Sequence, residues 1–537
     1  MECLPDLLYP DARPPADQER RVKELAFAFT TGDSSGDLGK ILDRAVVPGS
    51  SWEPSCFADD LFVDEFVEEC LKVSWGEWVV PLNKSFIKAV LCHPPDDPEA
   101  VRFRQDIQRE LAGDDRLRAD LQACYQQLLE LRMDLDANSD FGRSYFFRWR
   151  LDILVRVHRV VEQMAGSFEG TGSGLERIRR YAREVRETRG FRNLVELLDY
   201  EDEMATVGLR LRLGADGKVR GFEIENLSEN ERNPYHVGPV RRFLNRWSLI
   251  LRGYRVTGEE LIARWVERVF EQLVEDLVPL LQLIGDMEFY LASLHFRDLC
   301  EARGLPVCLP ELTSGDGAAG RTTAGLFNPL LLNLEEPPIP CDVRAERGDS
   351  IVILTGPNSG GKTRLLQALA WQQLLGQAGF HTNAAAARLR PATALFVSLN
   401  EAPRADQPEG RLGMELLRIR RLFETSRVGA LVVLDELCSG TNPSEGEEIF
   451  LLVVTLLREL SPEAFVSTHF LSFAQELEQQ GPVDGLQFIQ VQLDEQQRPT
   501  FQFGPGVATT SLAGPTAKRL GVTRGELQAL IDAARKG

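Results

Sequence analysis

The sequence predicts a chain in two parts, an all-α half followed by an α/β half built on a doubly wound sheet of parallel strands. Three observations predict it. Apolar residues recur at helical spacing over long stretches between residues 83 and 319. From about residue 320 onward, short β-branched runs ("SIVILTG", "ALFVSL", "GALVVLDE", "EAFVSTH") alternate with helical segments. A glycine-rich loop ending in Lys362-Thr363 joins the first of these strands to a helix.

Taken in order, residues 1–82 hold Gly, Pro and acidic clusters ("TTGDSSGDLG", "VVPGSSWEPS") between short apolar pieces, and form an unclassified amino-terminal region. Residues 83–319 carry the long helices, in "DPEAVRFRQDIQRELAGDDRLRADLQACYQQLLELRMDL" and again in "VRRFLNRWSLILRGYRVTGEELIARWVERVFEQLVEDLVPLLQLIGDMEFYLASLHFRDLCEARG", of which the part before residue 258 lies outside the residues described below. Between them, "ATVGLRLRLGADGKVRGFEIENL" alternates about Asp216-Gly217, which predicts a β-hairpin near 205–227. A Pro-rich joint, "LEEPPIPCDVRAERGD", accompanies the switch to the α/β pattern of residues 320–537. At 537 residues the chain exceeds the about 250–300 at which one core stops growing, so more than one domain is required.

Composition removes several classes. Hydrophobic content of 43% and charged content of 26% describe an ordinary globular protein. The longest apolar run, "IFLLVVTLL", falls short of the roughly 20 residues of a membrane helix, and the amino terminus lacks a signal-peptide layout, so a cytoplasmic protein with no membrane partner is expected. Nine cysteines without a C-x-x-C pair and six scattered histidines predict neither a disulfide frame nor a zinc site. With 81 acidic against 61 basic side chains, the net charge of −20 excludes a surface coated for nonspecific nucleic-acid binding. A local patch is open to that role: "RIRRYAREVRETRGFR", residues 177–192, sets seven Arg against two Glu and places Arg179, Arg183 and Arg186 on one helix side. The same pattern also reads as a solvated helix face with Glu-Arg pairing.

The chemistry concentrates in three pieces. Gly356, Pro357, Asn358, Ser359, Gly360, Gly361, Lys362 and Thr363 form a phosphate cradle, since glycines let backbone N–H groups curl round a polyphosphate at a helix N-terminus. Lys362 is placed for the β- and γ-phosphates and Thr363 for Mg²⁺. The strand "LVVLDE" ends in Asp435, suited to the Mg²⁺ shell, and Glu436, suited to polarise an attacking water. His469, after the strand "EAFVS", is either a sensor of the γ-phosphate or a structural histidine.

"TGPNSGGKT", "LVVLDELCSGTNPSEG" and "STHF", in this order, resemble the ATPase domain of the MutS mismatch-repair family, and "GTNPSEG" is similar to its second subfamily, which acts in recombination control and ribosome rescue. The resemblance covers residues 320–537 and extends more weakly upstream to a helical core and lever domain. It implies an ABC-type P-loop NTPase fold that binds ATP and Mg²⁺, two subunits completing each other's sites, and levers that clasp nucleic acid. It implies roles for Asn358 and Lys362 at the phosphates and for Asp435 and Glu436 as Walker B. It further implies an interface-crossing loop from Ser439 to Gly446, and His469 as the switch histidine. "FNPLLL" would place Phe327 at the adenine side, with Asn328 where a histidine is usual. "TSLAGPTAKRLGV" resembles a closing segment that locks the dimer.

Departures accompany the resemblance. The family's trans-acting serine has no counterpart in "PEGRLGMELLRI", where Arg411 is a substitute charge donor or a structural arginine. No mismatch-reading domain is expected, the Phe66-to-Glu68 sequence being a three-residue match in an acidic helix, and no small nuclease domain is expected after the ATPase. The reading that results is a homodimeric, DNA-binding ATPase clamping mismatched or branched nucleic acid, DNA ahead of RNA. The alternative is a nucleotide-gated protein gripping a protein or ribonucleoprotein partner, as on a ribosome. A transporter ATPase is set aside for want of "LSGGQ".

Overall fold

The computed structural model describes residues 4–15, 17–32, 44, 50–75, 78–80, 82–136, 143–202, 205–213, 219–229, 258–313, 319–399, 411–438, 441–481, 483–510 and 520–535. They form two compact units: Met1–Val46 with Glu110–Met287, and Val47–Arg109 with Glu288–Gly537.

The first unit is helical. The helix Asp115–Asp136 buries Leu117, Leu121, Cys124, Tyr125, Leu128, Leu131 and Leu135, a stripe at three- and four-residue spacing that faces the core. Glu176–Glu187 buries Ile178, Tyr181, Ala182 and Val185 in the same way. The helix Gly258–Ala302 contains Pro279, which supplies no N–H to the turn before it. In that turn the Asp276 carbonyl accepts from the Tyr181 hydroxyl at 3.0 Å. The expected hairpin is present as Ala205–Leu213 paired antiparallel with Val219–Glu229, while its turn at Asp216-Gly217 lies outside the described residues.

Among the described residues one helix, within Arg264–Ala302, is long and apolar enough to cross a membrane, and 94% of its apolar window is buried inside the protein. Asp286 and Glu288 interrupt its apolar sequence. Both carboxylates are buried and each accepts a backbone N–H, from Leu7 at 3.2 Å and from Asn83 at 2.9 Å respectively, which makes their burial tolerable.

The second unit is built on a six-stranded sheet. Its strands are β1 (Ile351–Thr355), β2 (Leu395–Ser398), β3 (Leu431–Leu434), β4 (Glu463–Ser467), β5 (Leu486–Leu493) and β6 (Pro499–Pro505), in the spatial order β2-β3-β4-β1-β5-β6. All neighbours are parallel except β5 and β6. Every residue of β1, β3 and β4 is buried, which explains their unbroken hydrophobic runs: a parallel strand covered on both faces has no polar side to alternate with. The helix Lys362–Ala378 is buried along nearly its whole length and runs from Gly361 to Gly379, both in left-handed backbone. A smaller mixed sheet joins Glu311–Leu312, Ala386–Leu389, Thr322–Leu326 and Cys341–Arg344.

Compactness divides the chain differently from composition. Residues 1–82 split between the two units, and the boundary expected at 319/320 falls inside the second. Side chains distant in sequence decide this: the Trp52 indole donates to the Ala392 carbonyl at 3.1 Å, and the Trp371 indole donates to the Leu61 carbonyl at 3.2 Å. Phe66, which is fully buried, lies 4.1 Å from Trp371 between ring centroids, so it is a core aromatic and no base-stacking probe.

Candidate nucleotide-binding site

Three chain segments meet at the carboxyl ends of adjacent strands, where open α/β sheets bind ligands. The Gly356–Gly361 loop follows β1, Asp435 and Glu436 follow β3, and Thr468 and His469 follow β4. Because β4 lies between β1 and β3, the sheet order brings together motifs distant in sequence, Thr363 and Asp435 being 72 residues apart. The Thr468 N–H donates to the Leu354 carbonyl at 3.0 Å, which ties the end of β4 to the strand entering the loop.

The loop needs its glycines. Gly356 has φ 139°, and a Cβ there would sit 2.6 Å from Val491 Cγ2 on β5; Gly361, with φ 87°, opens the helix. Asn358 and Ser359 are exposed at the loop crest, as is Thr363 beyond it, and Lys362 is buried. The Lys362 ammonium donates to the carbonyls of Gly356 at 3.0 Å and Pro357 at 3.2 Å. Burial pushes its pKa down, partly offset by the negative charges of Glu436 and Asp435. The Thr363 hydroxyl donates to Asp435 Oδ2 at 2.5 Å. Asp435 is buried and Glu436 half-buried, and Glu436 has φ 47°, a left-handed conformation uncommon outside glycine.

Beside Gly361 opens a cavity of about 340 Å³, lined mainly by apolar groups that include Leu331, Ile339, Phe501 and Phe503, with Arg364 at the start of the helix. Its position next to the phosphate cradle suits the nucleoside. Phe327 does not line it. That side chain is buried, and its backbone pairs with Asn383, the N–H donating to the Asn383 carbonyl at 3.1 Å. From this segment Asn328 and Leu331 line it, and the Asn328 amide donates to the Arg364 carbonyl at 3.1 Å and to Gln367 Oε1 at 3.0 Å. Sequence reasoning misses Phe501 and Phe503 because their strand, "PTFQFGP", reads only as an edge; the alternate aromatics are the available signal.

The remaining expected residues are placed as follows. His469 is exposed and packs its ring 4.2 Å from Phe470. Ser439 and Gly440 lie outside the described residues; after them Asn442 caps the helix Pro443–Glu459, its side chain accepting from the Ser444 N–H. Arg411 begins the helix Arg411–Thr425, and its side chain lies outside the described residues. Of the closing segment, residues 511–519 also lie outside them; the helix Arg524–Ala534 beyond has no buried residue and exposes Leu527, Leu530 and Ile531. In the first unit, Arg179 is only 12% exposed and pairs with Glu169 at 3.1 Å and Glu176 at 3.5 Å. Arg186 pairs with Glu162 at 3.0 Å, and Arg183 is exposed.

The family described as MutS domain V matches residues 352–526, a stretch containing the phosphate cradle, Asp435-Glu436 and His469. This match and the relatives below support a MutS-family protein. It is MutS2-like: proteins named Endonuclease MutS2 from Streptococcus uberis, Thermus thermophilus and Gemmatimonas aurantiaca are similar to it. The first is 29% identical over 243 residues, covering 45% of this chain and 29% of the relative. The second is 26% identical over 464 residues, covering 80% and 57%, and the third 27% identical over 383 residues, covering 65% and 44%. The matched region thus spans less than two thirds of each of these relatives. The site's donor set fits Mg²⁺: a hydroxyl and a carboxylate, both hard oxygen ligands, meet beside the cradle. Among the described residues no group of three or more His, Cys, Asp or Glu forms a cage for a metal, and Mg²⁺ is typically held by one or two carboxylates together with substrate phosphates.

Proposed function

We infer that this MutS-like chain binds and hydrolyses ATP with Mg²⁺ and uses the cycle to open and close a homodimeric clamp on mismatched, branched or otherwise unusual nucleic acid, DNA ahead of RNA. The observation that carries the ATPase is the convergence of Lys362, Thr363, Asp435 and Glu436 at neighbouring strand ends, beside an apolar cavity of about 340 Å³.

In this mechanism the loop N–H groups and Lys362 bind the phosphates. Lys362 exchanges its carbonyl acceptors for phosphate oxygens, and its desolvated ammonium interacts more strongly with them than it would in water. Thr363 and Asp435 would hold Mg²⁺, which would supply charge neutralisation to the bound polyphosphate. Glu436 accepts a proton from the attacking water, and His469 monitors the γ-phosphate. The dimer rests on the family-like loop Ser439–Gly446, on Arg411 as a charge donor across the interface, and on the exposed Leu527, Leu530 and Ile531 of the last helix. The helical unit acts as core and lever, with Arg183 and Arg186 its candidate phosphate contacts. A cytoplasmic setting goes with this reading. Strand cutting, which the relatives' name implies for them, is not proposed for this chain.

A second reading, a nucleotide-gated grip on a protein or ribonucleoprotein, is favoured by the ion pairs that neutralise Arg179 and Arg186 and by the net charge of −20. The test is the ATPase rate with a panel of duplex, mismatched, branched and single-stranded DNA and of structured RNA. Stimulation by branched or mismatched DNA supports the clamp; a rate indifferent to every nucleic acid favours the protein partner.

A further inference from the structure

The last residue of β4, Ser467, has a fully buried side chain between the two Walker carboxylate positions and the exposed His469. Its hydroxyl donates to Asp435 Oδ1, and its oxygen accepts the Glu436 N–H at 2.8 Å. A serine hydroxyl has a single proton, so donation to Asp435 leaves only lone pairs for Glu436, and one rotamer serves both contacts. The other Asp435 oxygen accepts from Thr363, so the carboxylate is pinned at both atoms: from the loop helix on one side and from β4 on the other. Glu436, in left-handed backbone at φ 47°, is a residue whose conformation must be held by its surroundings.

We propose that Ser467 is a positioning residue for the metal-nucleotide site, orienting the Asp435 carboxylate for Mg²⁺ and fixing the Glu436 peptide. This rests on the reading of the site as an ATP and Mg²⁺ site. A packing serine in a buried position is replaceable by alanine at little cost to ligand binding. A positioning serine is not, because without the hydroxyl the Asp435 Oδ1 loses its donor and the Glu436 N–H its acceptor. The side chain's complete burial leaves no open solvent to take its place. The link also joins Walker B directly to the strand that precedes His469.

The experiment uses the full chain and a fluorescent ATP analogue. Its affinity is measured in EDTA and then as Mg²⁺ is titrated in, for the parent, Ser467→Ala and Ser467→Thr. Losing an outer-shell partner of a metal ligand typically weakens metal binding about 10–100-fold, so Ser467→Ala should raise the Mg²⁺ midpoint about tenfold or more. Its affinity in EDTA should stay within about twofold of the parent, because the phosphate cradle is untouched. Ser467→Thr, which keeps the hydroxyl, should bring the midpoint back to within about threefold. An unchanged midpoint in Ser467→Ala overturns the proposal, as does an equal loss of affinity with and without Mg²⁺, which would mark a packing role. A parent chain that binds no analogue overturns instead the reading of the site on which the proposal rests.

Discussion

Glu463 opens β4 four residues before Ser467 and forms a buried ion pair with Arg321, whose side chain is fully buried. The Arg321 guanidinium donates to both Glu463 oxygens, at 3.0 and 2.9 Å, and to the side-chain oxygens of Gln372 at 2.8 Å and Gln373 at 2.6 Å. Glu463→Ala removes the charge that neutralises this cation, a change that typically costs about 3–5 kcal/mol. The two glutamine acceptors remain, which places the expected loss near the lower figure, about 3 kcal/mol. Replacing both partners with apolar residues, Arg321→Met with Glu463→Leu, leaves no stranded charge and should cost about 1–2 kcal/mol, mainly through the Gln373 oxygen left without its donor, since the Gln372 oxygen still accepts from the Thr323 hydroxyl at 3.0 Å. The parent, Glu463→Leu, Arg321→Met and the double variant form the cycle, compared by urea denaturation, and the pair should couple by at least about 1 kcal/mol. Four residues of strand separate Glu463 from Ser467 by about 13 Å, so ATP affinity in EDTA without urea should change little. A Glu463→Ala variant that loses under about 1 kcal/mol, or a double variant that loses the sum of the singles, would refute the argument.

Other parts of the chain carry three more expectations. His381 is buried, and desolvation, with the neighbouring Arg297 charge, lowers its pKa to about 3. The folded protein therefore keeps it neutral while the unfolded chain takes up a proton below about 6.5, so stability falls as pH drops from there toward 3; relative to His381→Asn, the parent should lose about 2 kcal/mol more between pH 7 and 5, measured by denaturation at each pH. Replacing Arg183 and Arg186 by Glu should reduce the slope of log K against log salt by about 0.9 for each duplex phosphate that is no longer neutralised, with basal ATPase intact, whereas Arg179→Glu should act through stability because its partners are two carboxylates; an unchanged slope assigns the arginines to a solvated face. Removing the chain after Phe503 should weaken dimerisation seen by sedimentation with a nonhydrolysable ATP analogue, and a fully active strict monomer would refute the composite site.

The parts legible in the sequence are those that local chemistry dictates. Gly356, Gly361, Lys362 and Thr363 are fixed by one loop's backbone demands, and β1, β3 and β4 by their unbroken apolar runs, so the site's framework can be read directly. The hairpin strands show in their alternation. What is not legible depends on residues far apart. The packing of residues 50–75 in the second unit rests on the Trp52 bond to Ala392 and the Trp371 bond to Leu61, which no local pattern encodes. The resemblance places Phe327 at the adenine side, whereas Asn328, Leu331, Phe501 and Phe503 line the cavity and Phe327 is buried, a difference that no local pattern encodes. Arg179 shares a helix side with Arg183 and Arg186 by spacing, but Glu169, ten residues before it, pairs with it, and helical periodicity does not register that contact. Ser467 is inconspicuous before Thr468 and His469, since a serine at a strand end is ordinary until Asp435 is seen beside it.

The central claim, that these strand ends form a working ATPase, is tested most directly by single-turnover and steady-state hydrolysis of ATP by the full chain and by Glu436→Gln. The account predicts Mg²⁺-dependent hydrolysis by the parent and, in the variant, retained nucleotide with turnover lower by about 10²-fold or more, the scale of a lost general base. A parent that binds no ATP, or a Glu436→Gln variant that turns over at the parent's rate, would contradict it.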